Sequence, residues 1–128
     1  EFSMILIFGG SYQGKLDFAK ETFGVTDKDV FTCTVDNEID WSKKVLYNLD
    51  QAFLRHVREG KESREVLKEH LDELKDKILI VNDISQGIVP MEREHRDWRE
   101  MTGRAMLYIS KEADEVHRVF CGLGSKIK

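Results

Sequence analysis

The chain alternates between short continuous apolar runs and longer stretches in which apolar residues recur every three or four positions. Ile5-Leu6-Ile7-Phe8 and Ile78-Leu79-Ile80-Val81 are runs of the first kind. Runs of this length predict strands buried on both faces, as in a parallel sheet. Asp29-Val30-Phe31-Thr32-Cys33-Thr34-Val35 is rich in β-branched residues and predicts another strand, closed by Asp36-Asn37. Glu115 to Cys121 predicts a further strand, and after a turn at Gly122-Leu123-Gly124 the segment Lys126-Ile127-Lys128 returns as a short edge strand. Helical spacing fills the intervals. A short helix runs from Lys15 to Thr22, where Gly24 can end it. Trp41, Val45, Leu49, Ala52, Phe53 and Val57 predict a helix from Trp41 to Gly60, capped by Asp40 or Ser42. Leu67, Leu71 and Leu74 mark the apolar face of a helix from Glu62 to Asp76, whose charges form a solvated face. Trp98, Met101, Ala105, Tyr108 and Ile109 line a long helix from Glu92 to Lys111, entered at Pro90. Strands alternating with helices predict an α/β fold with a mainly parallel sheet of four strands and a hairpin tail. Right-handed crossovers would bring the ends of the Ile5 and Ile78 strands to one edge.

Composition narrows the class. A chain of 128 residues, 41% hydrophobic and 34% charged, is that of one globular domain, here taken as residues 4–128. Glu1-Phe2-Ser3 ahead of Met4 reads as a cloning scar. The net charge of −4 provides no basic footprint, so no nucleic-acid partner is expected. No apolar run is long enough to span a membrane and no signal peptide is read, so a cytoplasmic location is expected. Cys33 and Cys121 lie in apolar runs without CxxC spacing and read as two buried thiols, with no metal site.

The chemistry concentrates after the first apolar run. Gly9-Gly10-Ser11-Tyr12-Gln13-Gly14-Lys15 has the spacing of a phosphate-binding loop up to its last position. Glycines let the backbone turn its N–H groups inward around a phosphate, and a mobile ammonium reaches the outer phosphates. The helix that follows would aim its positive end at the same anion. A complete motif places Ser or Thr next, to ligate Mg²⁺; this chain has Leu16, whose bulk calls for an apolar neighbour such as Phe8 or Phe18. The alternative is a plain glycine-rich turn between strand and helix. Asp83, just past the Ile78 strand, is a candidate metal-water or general-base residue, or else a cap.

The second half resembles a known family. Asn82-Asp83-Ile84-Ser85-Gln86-Gly87-Ile88-Val89-Pro90 is similar to the Asn-Glu-Val-Gly-x-Gly-Ile-Val-Pro signature of adenosylcobinamide kinase/adenosylcobinamide-phosphate guanylyltransferases. Arg96-Asp97-Trp98-Arg99-Glu100 followed by Gly103-Arg104 resembles that family's Arg-x-Phe-Arg-Asp-x-x-Gly-Arg. Ala113-Asp114-Glu115-Val116 and the ending Gly122-Leu123-Gly124-Ser125-Lys126-Ile127-Lys128 resemble its Ala-Asp-Glu-Val and Gly-x-Gly-x-Lys-Ile-Lys. The resemblance is close over Ile78 to Lys128 and looser over Met4 to Ala19. It implies a three-layer P-loop NTPase-like fold that binds ATP or GTP and phosphorylates a cobinamide hydroxyl in cobalamin assembly. Family members then transfer GMP through a guanylylated histidine. By resemblance, Gly9, Gly10, Ser11, Tyr12, Gln13, Gly14 and Lys15 would hold the nucleotide, with Lys15 and Asp83 catalytic and Asn82 beside them. Arg99 and Arg104 match family positions and would reach phosphate or hold the long helix by ion pairs.

The departures set the remaining expectations. Leu16 replaces the family's Ser, so Mg²⁺ dependence should be weak or absent. The segment His-x-x-x-Arg-Pro that carries the guanylylated histidine has no counterpart, so guanylyl transfer should be lost. His56, in Arg55-His56-Val57-Arg58, reads as a surface or interface histidine. The family strand ending in Asp-Cys-Leu-Thr finds its nearest counterpart in Val45-Leu46-Tyr47-Asn48, against which the helical period from Trp41 argues. A sheet lacking that central strand would expose apolar surface, which predicts a homo-oligomer. A catalytically inactive descendant that binds nucleotide, phosphate or a protein partner and regulates is the alternative function.

Overall fold

A computed structural model describes residues 3–10, 13–84 and 92–128. Ser11, Tyr12 and the Ser85-to-Pro90 part of the family signature lie outside the described residues. The chain runs β1 (Ile5–Gly9), α1 (Lys15–Phe23), β2 (Val30–Thr32), β3 (Val45–Tyr47), α2 (Leu49–Glu59), α3 (Ser63–Glu69), α4 (Leu71–Leu74), β4 (Ile78–Asn82), α5 (Arg93–Glu112), β5 (Glu115–Phe120) and β6 (Leu123–Lys126). The strands form one six-stranded sheet in the order β2-β3-β4-β1-β5-β6. Among the described residues only β6 is antiparallel, so the expected α/β fold, a mainly parallel sheet closed by a C-terminal hairpin, is present.

Strand alternation divides the core in two. Leu6, Leu46, Leu79 and Val116 share one cluster with Phe53 of α2, Leu67 of α3, Leu74 of α4 and Ile109 of α5. Ile7, Val45, Ile80 and Val119 share the other with Ala19 of α1 and Val25. Both β1 and β4 contribute to both clusters, which explains why their sequences are apolar without a break.

Several expectations give way to the sheet. The helix predicted from Trp41 begins only at Leu49; Val45 to Tyr47 instead form β3, paired in parallel with both β2 and β4. Val45 and Leu46 are fully buried, so the parallel ladder and burial on both faces override a helical spacing that Trp41, Val45 and Leu49 meet by coincidence. Asp40 accordingly caps no helix; its carboxylate accepts from the backbone N–H and hydroxyl of Ser42 in a turn. Among the described residues six strands replace the expected four and a hairpin tail, and β3 supplies the inner strand between β2 and β4 that the sequence reading lacked. That removes the reason given for self-association. The helix predicted from Glu62 to Asp76 is broken at His70, which leaves helical geometry (φ −108°, ψ 18°) and stacks flat on Trp41 at 3.9 Å. The second strand is three residues long, because Asp27–Asp29 make a 3₁₀ turn in which Asp29 accepts from the Thr26 N–H. The hairpin turns on Cys121 and Gly122, both at positive φ (50° and 77°), so β6 starts at Leu123 rather than Lys126. Cys121 is thereby exposed, not buried; Cys33 is buried, and desolvation pushes its thiol up to about 12. Among the described residues, no helix is long and apolar enough to cross a membrane.

Candidate phosphate site

β1 delivers the chain to the sheet edge at Gly9, where a side chain cannot fit: a Cβ there would fall 2.4 Å from the Val119 carbonyl oxygen. Gly14 closes the loop in the left-handed region (φ 83°) and forms the N-cap of α1. A Cβ on Gly14 would also crowd the Gly122 Cα, at 3.2 Å. Gln13 is held from outside by the hairpin turn. The Gly122 N–H donates to the Gln13 carbonyl at 2.7 Å, and the Cys121 N–H donates to Gln13 Oε1 at 2.7 Å.

Lys15 is the first residue of α1 and only 4% exposed. Its ammonium turns back and donates to the Gly10 carbonyl at 2.5 Å. Burial lowers its pKa, and the nearby Asp50 carboxylate opposes that shift. Lys15 borders a cavity of about 330 Å³ together with Gly14, Asp17, Tyr47, Asn48 and Asn82. A buried ammonium beside an open polar cavity, at the N-terminus of a helix, suits a bound anion.

Asn82 and Asp83 follow β4 into this edge and diverge. The Asn82 backbone N–H and side-chain amide both donate to Asp50 Oδ1, at 3.0 and 3.1 Å, and the amide also reaches Asn48 Oδ1 at 2.8 Å. Asp83 is anchored by its N–H to the Gly9 carbonyl at 2.7 Å and borders a different cavity, of about 300 Å³, with Gly9, Gly10 and Arg118. The expectation that Asp83 and the glycine loop share one edge therefore holds, with Asp83 across the loop from the cavity at Lys15.

The sequence reading missed Asp50. It is 2% exposed, in the first turn of α2, and its backbone carbonyl accepts from the Trp98 indole at 2.8 Å, tying α5 to the site. The signal was present, an acid three residues past an apolar triplet, but assigning residues 41–57 to one helix hid the strand end that gives it meaning. Leu16 contributes no oxygen to the site; it packs into the apolar cluster that also receives Phe18, whereas Phe8 lies in the other cluster. Among the described residues, no three His, Cys, Asp or Glu side chains are grouped to hold a metal ion.

Arg104 is not gathered to the loop; its guanidinium forks onto Glu62, with nitrogen–oxygen distances of 3.1 and 2.9 Å, and joins α5 to the start of α3. Arg99 lies exposed on α5. His56 is not a surface residue: it is buried, its Nδ1 is 2.8 Å from Ser63 Oγ, and desolvation lowers its pKa.

A model of the cobinamide kinase / cobinamide phosphate guanyltransferase family matches residues 26–127. Over 51 residues the chain is 41% identical to the bifunctional adenosylcobalamin biosynthesis protein CobU of Salmonella typhimurium and 39% identical to that of Escherichia coli. In each case the aligned stretch is 40% of this chain and 28% of the relative, so it spans little more than a quarter of those proteins. The family match starts beyond the glycine loop, whose assignment rests on its own spacing and geometry. With most of its length matched, the chain belongs to the cobinamide kinase / cobinamide phosphate guanyltransferase family.

Proposed function

We propose that the chain binds ATP or GTP through the Gly9–Lys15 loop and transfers the terminal phosphoryl group to a hydroxyl of a cobinamide-type acceptor, without guanylyl transfer. The observation that carries this reading is the buried Lys15 ammonium, held on the Gly10 carbonyl at the mouth of a polar cavity. An incoming phosphate oxygen would take over that contact, with the N-terminus of α1 contributing its partial positive charge. The acceptor hydroxyl would enter the cavity walled by Tyr47, Asn48 and Asn82. Its oxygen would bond to the γ-phosphorus as the bond from that phosphorus to the β–γ bridging oxygen breaks, the nucleoside diphosphate leaving and the hydroxyl proton passing to solvent, a step governed by positioning and charge stabilisation. Asp50 acts at this end by fixing Asn82 and balancing Lys15. Asp83, across the loop, remains the family-matched acid and would orient an acceptor only from its own side.

Leu16 favours a second reading, a nucleotide-binding descendant without turnover, because the loop lacks the hydroxyl that ordinarily couples Mg²⁺ to the phosphates. Transfer of label from γ-labelled ATP or GTP to cobinamide separates the two. The kinase reading expects slow transfer that Leu16→Ser accelerates and makes more Mg²⁺-dependent. No transfer by either protein would leave the binding role. α-Labelled GTP should leave no acid-labile label on the chain; retained label lost in His56→Ala would reinstate guanylyl transfer.

A further inference from the structure

The sheet ends on two unlike edge strands. At one edge, β2 has three residues, and its Val30 and Phe31 are half-buried against the core. At the other, all four residues of β6 are exposed, and so is Ile127 just beyond it. Among the described residues the exposed large apolar side chains are Leu107, Phe120, Leu123 and Ile127, and three of these four stand on the C-terminal hairpin. The β5–β6 register pairs Phe120 with Leu123 and Arg118 with Ser125, and the Ile127 N–H donates to the Val116 carbonyl. Alternation therefore puts Phe120, Leu123, Ser125 and Ile127 on one face. An exposed edge with an apolar face is a template for another strand.

The hairpin turn decides which peptide groups that edge offers. Cys121 and Gly122 are both left-handed, so the flanking Phe120–Leu123 pair is hydrogen-bonded. Leu123, Ser125 and Ile127 thus turn their peptide groups towards β5, in agreement with the Ile127 bond to Val116. Gly124 and Lys126 turn theirs outward. Lysines commonly guard such an edge. Here both lysines are drawn back onto their own chain. Lys126 Nζ lies 3.8 Å from a Glu115 carboxylate oxygen, and Lys128 Nζ donates to the Ser110 and Lys111 carbonyls of α5, at 3.0 and 3.1 Å.

We infer that β6 is the contact of a two-fold homodimer, pairing antiparallel with β6 of a second copy about a dyad at Ser125. The strand is self-complementary in that register. Leu123 meets Ile127 of the second copy, and Ile127 meets its Leu123, so four apolar side chains gather on one face. Gly124 meets Lys126 of the second copy, so no lysine faces a lysine, and the outward peptide groups of both residues are paired. A dyad at Lys126 would set two lysines opposite each other, and one at Gly124 would set Leu123 against Ser125. The same patch serves both copies, so the contact closes at two. One sheet then runs through both protomers.

Sedimentation of wild type over a concentration series should show a monomer–dimer equilibrium. Lys126→Pro removes an outward N–H that the hairpin itself does not use, and proline is tolerated at such an edge position. The variant should keep the wild-type circular dichroism and lose the dimer. Wild type that stays monomeric throughout the series overturns the proposal, and so does a dimer or larger assembly that survives in Lys126→Pro. The register is tested by cysteine cross-linking in a Cys121→Ser background, which also decides the matter should Lys126→Pro fail to fold. Two residues facing each other in a non-hydrogen-bonded pair have Cα atoms about 4.5 Å apart, within disulfide range. Mild oxidation should therefore link Ser125→Cys into a covalent dimer and leave Lys126→Cys monomeric on a denaturing gel. No link through Ser125→Cys, or a link through Lys126→Cys instead, overturns the dyad.

Discussion

Two strand-to-helix corners flank β4, and they reach the same geometry by different chemistry. β1 passes into α1 through Gly14, and β3 passes into α2 through Asn48, each a left-handed N-cap (φ 83° and 57°) without a side-chain capping bond. At the first corner a glycine loop intervenes and ends on a buried lysine. At the second, the helix starts at once and brings in a buried acid, Asp50. Asn82 of β4 joins them: it sits in register with Gly9 and bonds to Asn48 and Asp50. The first corner is built for close backbone approach and the second for charge balance. Residue type marks the one, whereas only position in the fold marks the other.

If that division is right, backbone space should matter most at the first corner. Gly9→Ala forces its Cβ onto the Val119 carbonyl, so β1 and β5 must part. Denaturant unfolding should show a loss of about 3 kcal/mol or more. A loss near zero would mean the corner is loosely packed.

At the second corner a lost acceptor should matter more than lost volume. Asp50→Ala leaves the Asn82 N–H without its acceptor and should cost about 2 kcal/mol. Asp50→Asn retains an oxygen and should cost less. Removing the carboxylate also takes away the influence that raises the Lys15 pKa, so the Lys15 ammonium should titrate at still lower pH, as followed by NMR. An unaltered Lys15 titration would break the link between the two corners.

A smaller effect lies at the far end of α2. His56 is buried, and its pKa is depressed from 6.5. The unfolded chain therefore binds the proton more tightly. The stability this group contributes is complete above about pH 6.5 and declines as pH falls towards its lower folded value. The wild type should lose stability over that window relative to His56→Gln, whose profile should be flatter there; parallel profiles would contradict the burial argument.

The same contrast explains what could be read in advance. β1 and β4 were legible because both their faces are buried, leaving continuous apolar runs. The glycine turn from β1 to α1 was legible because close packing at Gly9 and the left-handed backbone at Gly14 are met by glycine. β3 was not, since three residues carry too little pattern to outweigh the helical spacing running through them from Trp41. Asp50 followed it into obscurity. The break at His70 involves neither glycine nor proline and depends on stacking against Trp41, a contact from a distant part of the chain. Arg104 could be matched to a family position, but its fork onto Glu62 is a tertiary fact.

The most direct test of the central claim is calorimetric titration of ATP into wild type and Lys15→Ala, with Mg²⁺ and with chelator. The account expects ATP to bind comparably in both media, because it assigns the phosphates to the N-terminus of α1 and to the buried Lys15 ammonium rather than to a metal. Lys15→Ala should then weaken binding by roughly 100-fold. Equal affinity in wild type and Lys15→Ala would contradict the account and leave Gly9–Lys15 as a turn between a strand and a helix.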